Sequence, residues 1–95
     1  MEKILNLEHI TVKEVKINIA KWCQLLRKEH GETQISLALK LNISHKTIYN
    51  LEKGCNFTID TLLKVLQYFE RLDLVNKFLS DQIDKENQKN NISLY

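Results

Sequence analysis

The stretch SLALKLNISHKTIYNLEKG, residues Ser36 to Gly54, carries two short apolar periodicities of helical type, broken once at Leu41-Asn42-Ile43-Ser44. Leu37, Ala38 and Leu41 recur at helical spacing before the break, and Ile48 and Leu51 after it. Asn42 is suited to end the first run, because Asn tolerates the left-handed conformation of a helix cap better than other non-glycine residues. Ser44 is suited to start the second, since its hydroxyl accepts from an unpaired N–H of the first turn. Two helices joined by so few residues make a helix-turn-helix, in which a tight joint fixes the angle between them. Ala38 is small where the two helices come closest. The outward positions of the second helix are His45, Lys46, Tyr49, Asn50 and Lys53, instead of the Glu and Lys mixture of an ordinary solvated helix.

The flanks read as further helices. Upstream, Thr11 and Glu14 form a capping box opening a long helix to His30. Val12, Val15, Ile19, Trp22, Cys23 and Leu26 lie on one face of it, and Gly31 stops it. Thr33 caps the helix that carries Leu37. Downstream, Gly54 ends the second helix of the pair, Thr58 opens a fourth through TIDTLLKVLQYFE, and a fifth spans about Leu72 to Ile83 with Leu72, Val75, Phe78, Leu79 and Ile83. The chain of 95 residues holds no Pro and two Gly, too few turn residues for strands and hairpins, which makes the fold class all-α. The expected organisation is an N-terminal arm over 1–10, the helix-turn-helix domain over 11–70, a C-terminal helix over 71–85 as dimer surface and a flexible tail over 86–95. The arm carries Ile4, Leu5, Leu7 and Ile10. A core this small buries modest area, so association of two chains is expected to help.

Composition excludes several classes. Hydrophobic residues at 43% and charged ones at 27% describe a folded chain and not a disordered one. A net charge of +2 is too small to announce a nucleic-acid partner, so any basic patch must come from arrangement. The opening MEKILNLEHITVKE lacks a signal-peptide core and no segment is long enough to span a membrane, which points to the cytoplasm. Cys23 falls in an apolar helical pattern and reads as a small core residue, whereas Cys55 follows Gly54 in a loop. The cysteines and His9, His30 and His45 have no metal-ligand spacing, so neither a metal nor another cofactor is expected. No paired carboxylates, nucleophile–base pair or Gly-rich phosphate loop supports an enzyme, and Ser44 next to His45 is already occupied as a cap.

From Leu25 to Phe69 the chain resembles the Cro/CI-like, or XRE-type, helix-turn-helix regulators. Arg27, Thr33, Gln34, Leu37, Ala38, Leu41, Ile43, Ser44, Ile48, Leu51, Glu52, Gly54 and Leu62 all fall in step with the family pattern. Asn42 departs from the family's usual Gly while serving the same backbone role. The resemblance implies a five-helix lambda-repressor-like domain that binds double-stranded DNA. It implies that His45, Lys46 and Asn50 face base edges, Asn suiting adenine and Lys suiting guanine acceptors. It implies phosphate contacts from Gln34, Thr47, Lys53 and the loop around Cys55 and Asn56. Arg27 and Glu52 match the family's internal ion pair. The function implied is a dimeric repressor reading a pseudo-palindromic operator.

One feature stands outside that picture. Ile35 and Leu39 are four apart on the bracing helix, away from Leu37, Ala38 and Leu41, where the family usually has polar residues. The stripe could be covered by the arm's Ile4, Leu5 and Leu7, by another subunit or by a partner protein. A toxin is one such partner, which leaves an autoregulating antitoxin as the alternative function. Singly exposed apolar residues also occur without any partner.

Overall fold

Helix ends define this architecture. The computed structural model describes residues 9–90, and the arm's Ile4, Leu5 and Leu7 lie outside the described residues. Five helices follow in order: α1 (Val12–Glu29), α2 (Gln34–Leu41), α3 (His45–Glu52), α4 (Ile59–Tyr68) and α5 (Leu72–Asn90). Among the described residues there is no strand. The fold is all-α and lambda-repressor-like, with α2 and α3 as the helix-turn-helix.

Four of the five helix starts are capped by the hydroxyls foreseen in the sequence. Thr11 and Glu14 make the full capping box, with the Glu14 amide donating to Thr11 Oγ1 at 3.0 Å and the Thr11 amide donating to Glu14 Oε1 at 2.9 Å. Thr33, Ser44 and Thr58 each accept from the amide three residues on. The four helix stops share one backbone device. Gly31, Asn42, Gly54 and Glu70 all sit at positive φ near 60–70°. After each, the next residue's N–H reaches back five residues: Glu32 to Arg27 O, Ile43 to Ala38 O, Cys55 to Asn50 O and Arg71 to Leu66 O. This is the Schellman motif, which satisfies the otherwise orphaned carbonyls of a last turn. Glu70 was not foreseen as a stop, because Glu is a good helix former. Its left-handed conformation is held by the Arg71 amide at 2.7 Å from Leu66 O, and Arg71 Nη1 also donates to Phe69 O at 2.9 Å.

Helices of eight residues are too short to persist alone in water, so α2 and α3 exist because they pack. Their inner residues Leu37, Ala38, Ile48 and Leu51 join Cys23 and Leu26 of α1 and Val65, Leu66 and Phe69 of α4 in one core. Burial pushes the Cys23 thiol up to about 12, consistent with a packing role. The inward face expected for α1 is only half realised. Val12 and Val15 are exposed, because the first turns of α1 project past the core and line an open apolar groove with Ile10, Ile19, Phe57, Ile59 and Leu62.

At the other end, α5 runs on to Asn90, past the boundary expected at Ile83 and into the segment read as tail. No Gly or Pro interrupts DKENQKN, and a Lys77–Asp81 pair at 3.5 Å supports the helix one turn earlier.

The α1–α2 turn is tied to α4 through Glu32. Its carboxylate accepts from Lys40 Nζ at 2.7 Å, Ser36 Oγ at 2.6 Å and Tyr68 Oη at 2.6 Å. These donors, Lys40 foremost, lower its pKa to about 2.

Two predictions follow from these contacts. Asn42→Ala should cost about 1 kcal/mol, the strain of an ordinary side chain in the left-handed region, while Asn42→Gly should be nearly neutral; urea midpoints distinguish them. Because the folded state lowers the Glu32 pKa, its contribution to stability is complete above about 4.5 and disappears as pH falls through about 2. Glu32→Gln should therefore flatten that acid limb of a stability–pH profile.

Candidate nucleic-acid interface

Three devices aim α3. Ser44 caps its start, with the Thr47 amide at 3.1 Å from Ser44 Oγ. Gly54 closes its end at φ 71°, where an added Cβ would stand 3.4 Å from Lys16 O and 3.5 Å from Ile17 Cα of α1. Those are ordinary van der Waals distances, so the position favours glycine for its conformation and not for space. Ile48 and Leu51 anchor the inner face, both fully buried.

The fourth constraint is ionic. Arg27 Nε donates to Glu52 Oε2 at 2.7 Å and Arg27 Nη2 donates to Glu52 Oε1 at 2.9 Å. This fork joins the last turn of α1 to the last residue of α3. The side chains are 10% and 2% exposed, respectively. The remaining arm of the guanidinium, Nη1, donates to Glu32 O at 2.9 Å and so holds the turn that leads into α2. A buried pair of this kind gains little net stability over an apolar pair, but its two-pronged geometry fixes orientation.

The network continues outward. Gln34, first residue of α2, donates Nε2 to Glu52 Oε1 at 3.0 Å. Its Oε1 stands 3.0 Å from His45 Nε2, on the first residue of α3. The sequence assigned Gln34 to phosphate and His45 to bases as separate contacts. The structure brings them together, a pairing invisible in sequence because the two residues are eleven apart and meet only once both helices are packed.

His45 and Lys46 are exposed at the start of α3 and Asn50 is half-buried one turn later. Thr47 is half-buried, with its hydroxyl 2.7 Å from Ser44 Oγ at the cap. Lys53 lies at the far end of α3, its ammonium 5.1 Å from the centre of the Tyr49 ring. Hydrogen bonding to Tyr49 raises the Lys53 pKa and so favours the charged form. Tyr49 was thus missed as a partner of Lys53, although their i, i+4 spacing was a usable signal. Asn56 is exposed in the loop beyond Gly54. The combined surface offers amides, an imidazole and cations along one side of α3, a set able to donate to and accept from base edges and phosphates. Ile35 and Leu39 stand apart from it, 57% and 76% exposed on α2.

A family model described as helix-turn-helix matches residues 24–75, more than half of the chain. No curated protein and no solved structure matches it.

Breaking the ionic lock should be costly. Arg27→Met strands a buried Glu52 carboxylate and should lose about 3–5 kcal/mol in urea unfolding. The double change Arg27→Met with Glu52→Leu should recover most of that loss, as expected if the pair orients more than it stabilises.

Proposed function

We propose a specific task for this chain, which belongs to the Cro/CI-like, XRE-type helix-turn-helix family and is a DNA-binding regulator: a dimeric repressor that occupies a pseudo-palindromic operator and blocks polymerase. The observation that carries the reading is the outer face of α3, where His45, Lys46 and Asn50 stand opposite the buried Ile48 and Leu51. In this reading α3 enters the major groove and α2 braces across the backbone. His45, Lys46 and Asn50 read base edges, and Gln34, Thr47, Lys53 and Asn56 hold phosphates. The Arg27–Glu52 pair keeps α3 at its docking angle.

One domain of this size covers half an operator. Two copies would present their α3 helices to half-sites about 34 Å apart, one turn of the duplex. The face that supports pairing is on α5, where Leu74, Phe78, Leu79 and Ile83 are all at least half exposed. An exposed apolar row of this length is better suited to a second copy than to water.

A second reading has its own observation. The Ile35 and Leu39 stripe is exposed and outside the core, which suits a protein partner such as a toxin. The chain would then be an antitoxin that also represses its own promoter. Among the described residues no helix is long and apolar enough to cross a membrane.

The deciding experiment is binding of the full chain to fragments of its own upstream region, against a random duplex competitor. Competitor-resistant binding is expected with two chains per operator, falling about 10³-fold between roughly 50 and 200 mM salt if some six phosphates are neutralised. Lys46→Ala and Asn50→Ala should each cost about 1–3 kcal/mol and relax sequence preference. Binding that is absent, or equal on the random duplex and indifferent to Asn50, overturns the regulator reading. One chain per operator would overturn the dimer alone.

A further inference from the structure

We infer that His45 selects an amino-bearing base, adenine or cytosine, because the chain of contacts from Arg27 through Glu52 and Gln34 leaves Nδ1 of this exposed side chain as a hydrogen-bond acceptor. The inference rests on the DNA-reading role of α3 and specifies what one of its residues recognises.

The argument is one of hydrogen-bond polarity. Arg27 is a cation with donors only, and its fork engages both oxygens of Glu52. Glu52 is thereby held as a carboxylate, an acceptor at both atoms. The group facing it 3.0 Å away on Gln34 must then be the NH₂, since a carbonyl there would set two acceptors against each other without a proton. With its NH₂ committed to Glu52, Gln34 can offer only its Oε1 to His45. The ring nitrogen 3.0 Å from that oxygen, Nε2, must therefore carry a proton. A neutral imidazole has one N–H, so Nδ1 is left with a lone pair. Among the described residues Nδ1 has no partner, and the side chain is exposed at the first position of α3.

At the same depth in the major groove, adenine and cytosine present an amino donor, while guanine and thymine present a carbonyl acceptor. An acceptor Nδ1 pairs with the first class and opposes the second. The opposite tautomer would reverse the choice. Arg27 and Glu52, both remote from the outer face of α3, thus act as positioning residues for base selection in addition to holding the fold.

Two measurements test this. The first is long-range ¹H–¹⁵N correlation of the histidine rings of the free full chain at pH 8, with the His45 signals identified by their loss in His45→Ala. The expected pattern is a protonated Nε2 and a bare Nδ1; a protonated Nδ1 overturns the inference. The second is selection from a randomised duplex library by the wild type, His45→Ala and Gln34→Leu at the same pH. The position read by His45 is the one that becomes indifferent in His45→Ala. There the wild type should prefer adenine or cytosine over guanine or thymine about tenfold. Gln34→Leu should shrink that preference while leaving the one lost in Asn50→Ala intact. A preference for guanine or thymine, or one untouched by Gln34→Leu, overturns the inference and leaves sequence-specific binding standing. Selection of no sequence at all overturns both.

Discussion

Arg27 satisfies three acceptors with one planar group: both oxygens of Glu52 and the carbonyl of Glu32. Those contacts join the end of α1, the turn into α2 and the end of α3. Each is a place where short helices meet, and neither α2 nor α3 is long enough to hold its own direction. The guanidinium fork is rigid and two-pronged, so it constrains angle as well as distance. Burying the pair costs desolvation that its attraction roughly offsets. What remains is orientation, and orientation is what a helix needs if it is to enter a groove in a set register.

The second constraint is the economy of the joints. All four helix stops use a left-handed residue and the same back-reaching hydrogen bonds. That device turns the chain sharply without leaving carbonyls unpaired. It lets α1 through α4 surround one core of small volume, with Cys23 and Ala38 where larger residues would push helices apart. It also accounts for the placement of glycine. Gly54 is favoured by its φ of 71°, which an ordinary side chain adopts only with strain.

The core does not use all of the apolar surface. The first turns of α1 and the length of α5 carry exposed Ile, Val, Leu and Phe. The stripe of Ile35 and Leu39 is the smaller third patch. The regulator reading therefore separates two chemistries in space: polar and cationic groups on α3, and apolar ones where chains would meet.

Much of this was legible in the linear chain, because its signals are local. A hydroxyl three residues ahead of a paired amide caps a helix whatever surrounds it, which is why Thr11, Thr33, Ser44 and Thr58 could be read as starts. Gly31, Asn42 and Gly54 could be read as stops because left-handed tolerance belongs to the residue itself. Apolar periodicity identified the inner faces of α2 and α3, and the register of the whole motif identified the family. Glu70 escaped, since its left-handed turn is imposed by Arg71 and the packing of α4 and not by any preference of glutamate. Val12 and Val15 were placed inward because periodicity reports a face and is silent on where the core ends. The Gln34–His45 contact and its polarity were beyond sequence for the same reason. The sequence by itself determined where helices begin, end and turn apolar, since those depend on neighbours along the chain. Tertiary structure alone decided which nitrogen of His45 bears the proton, since that depends on a carboxylate and a guanidinium brought from two other helix ends.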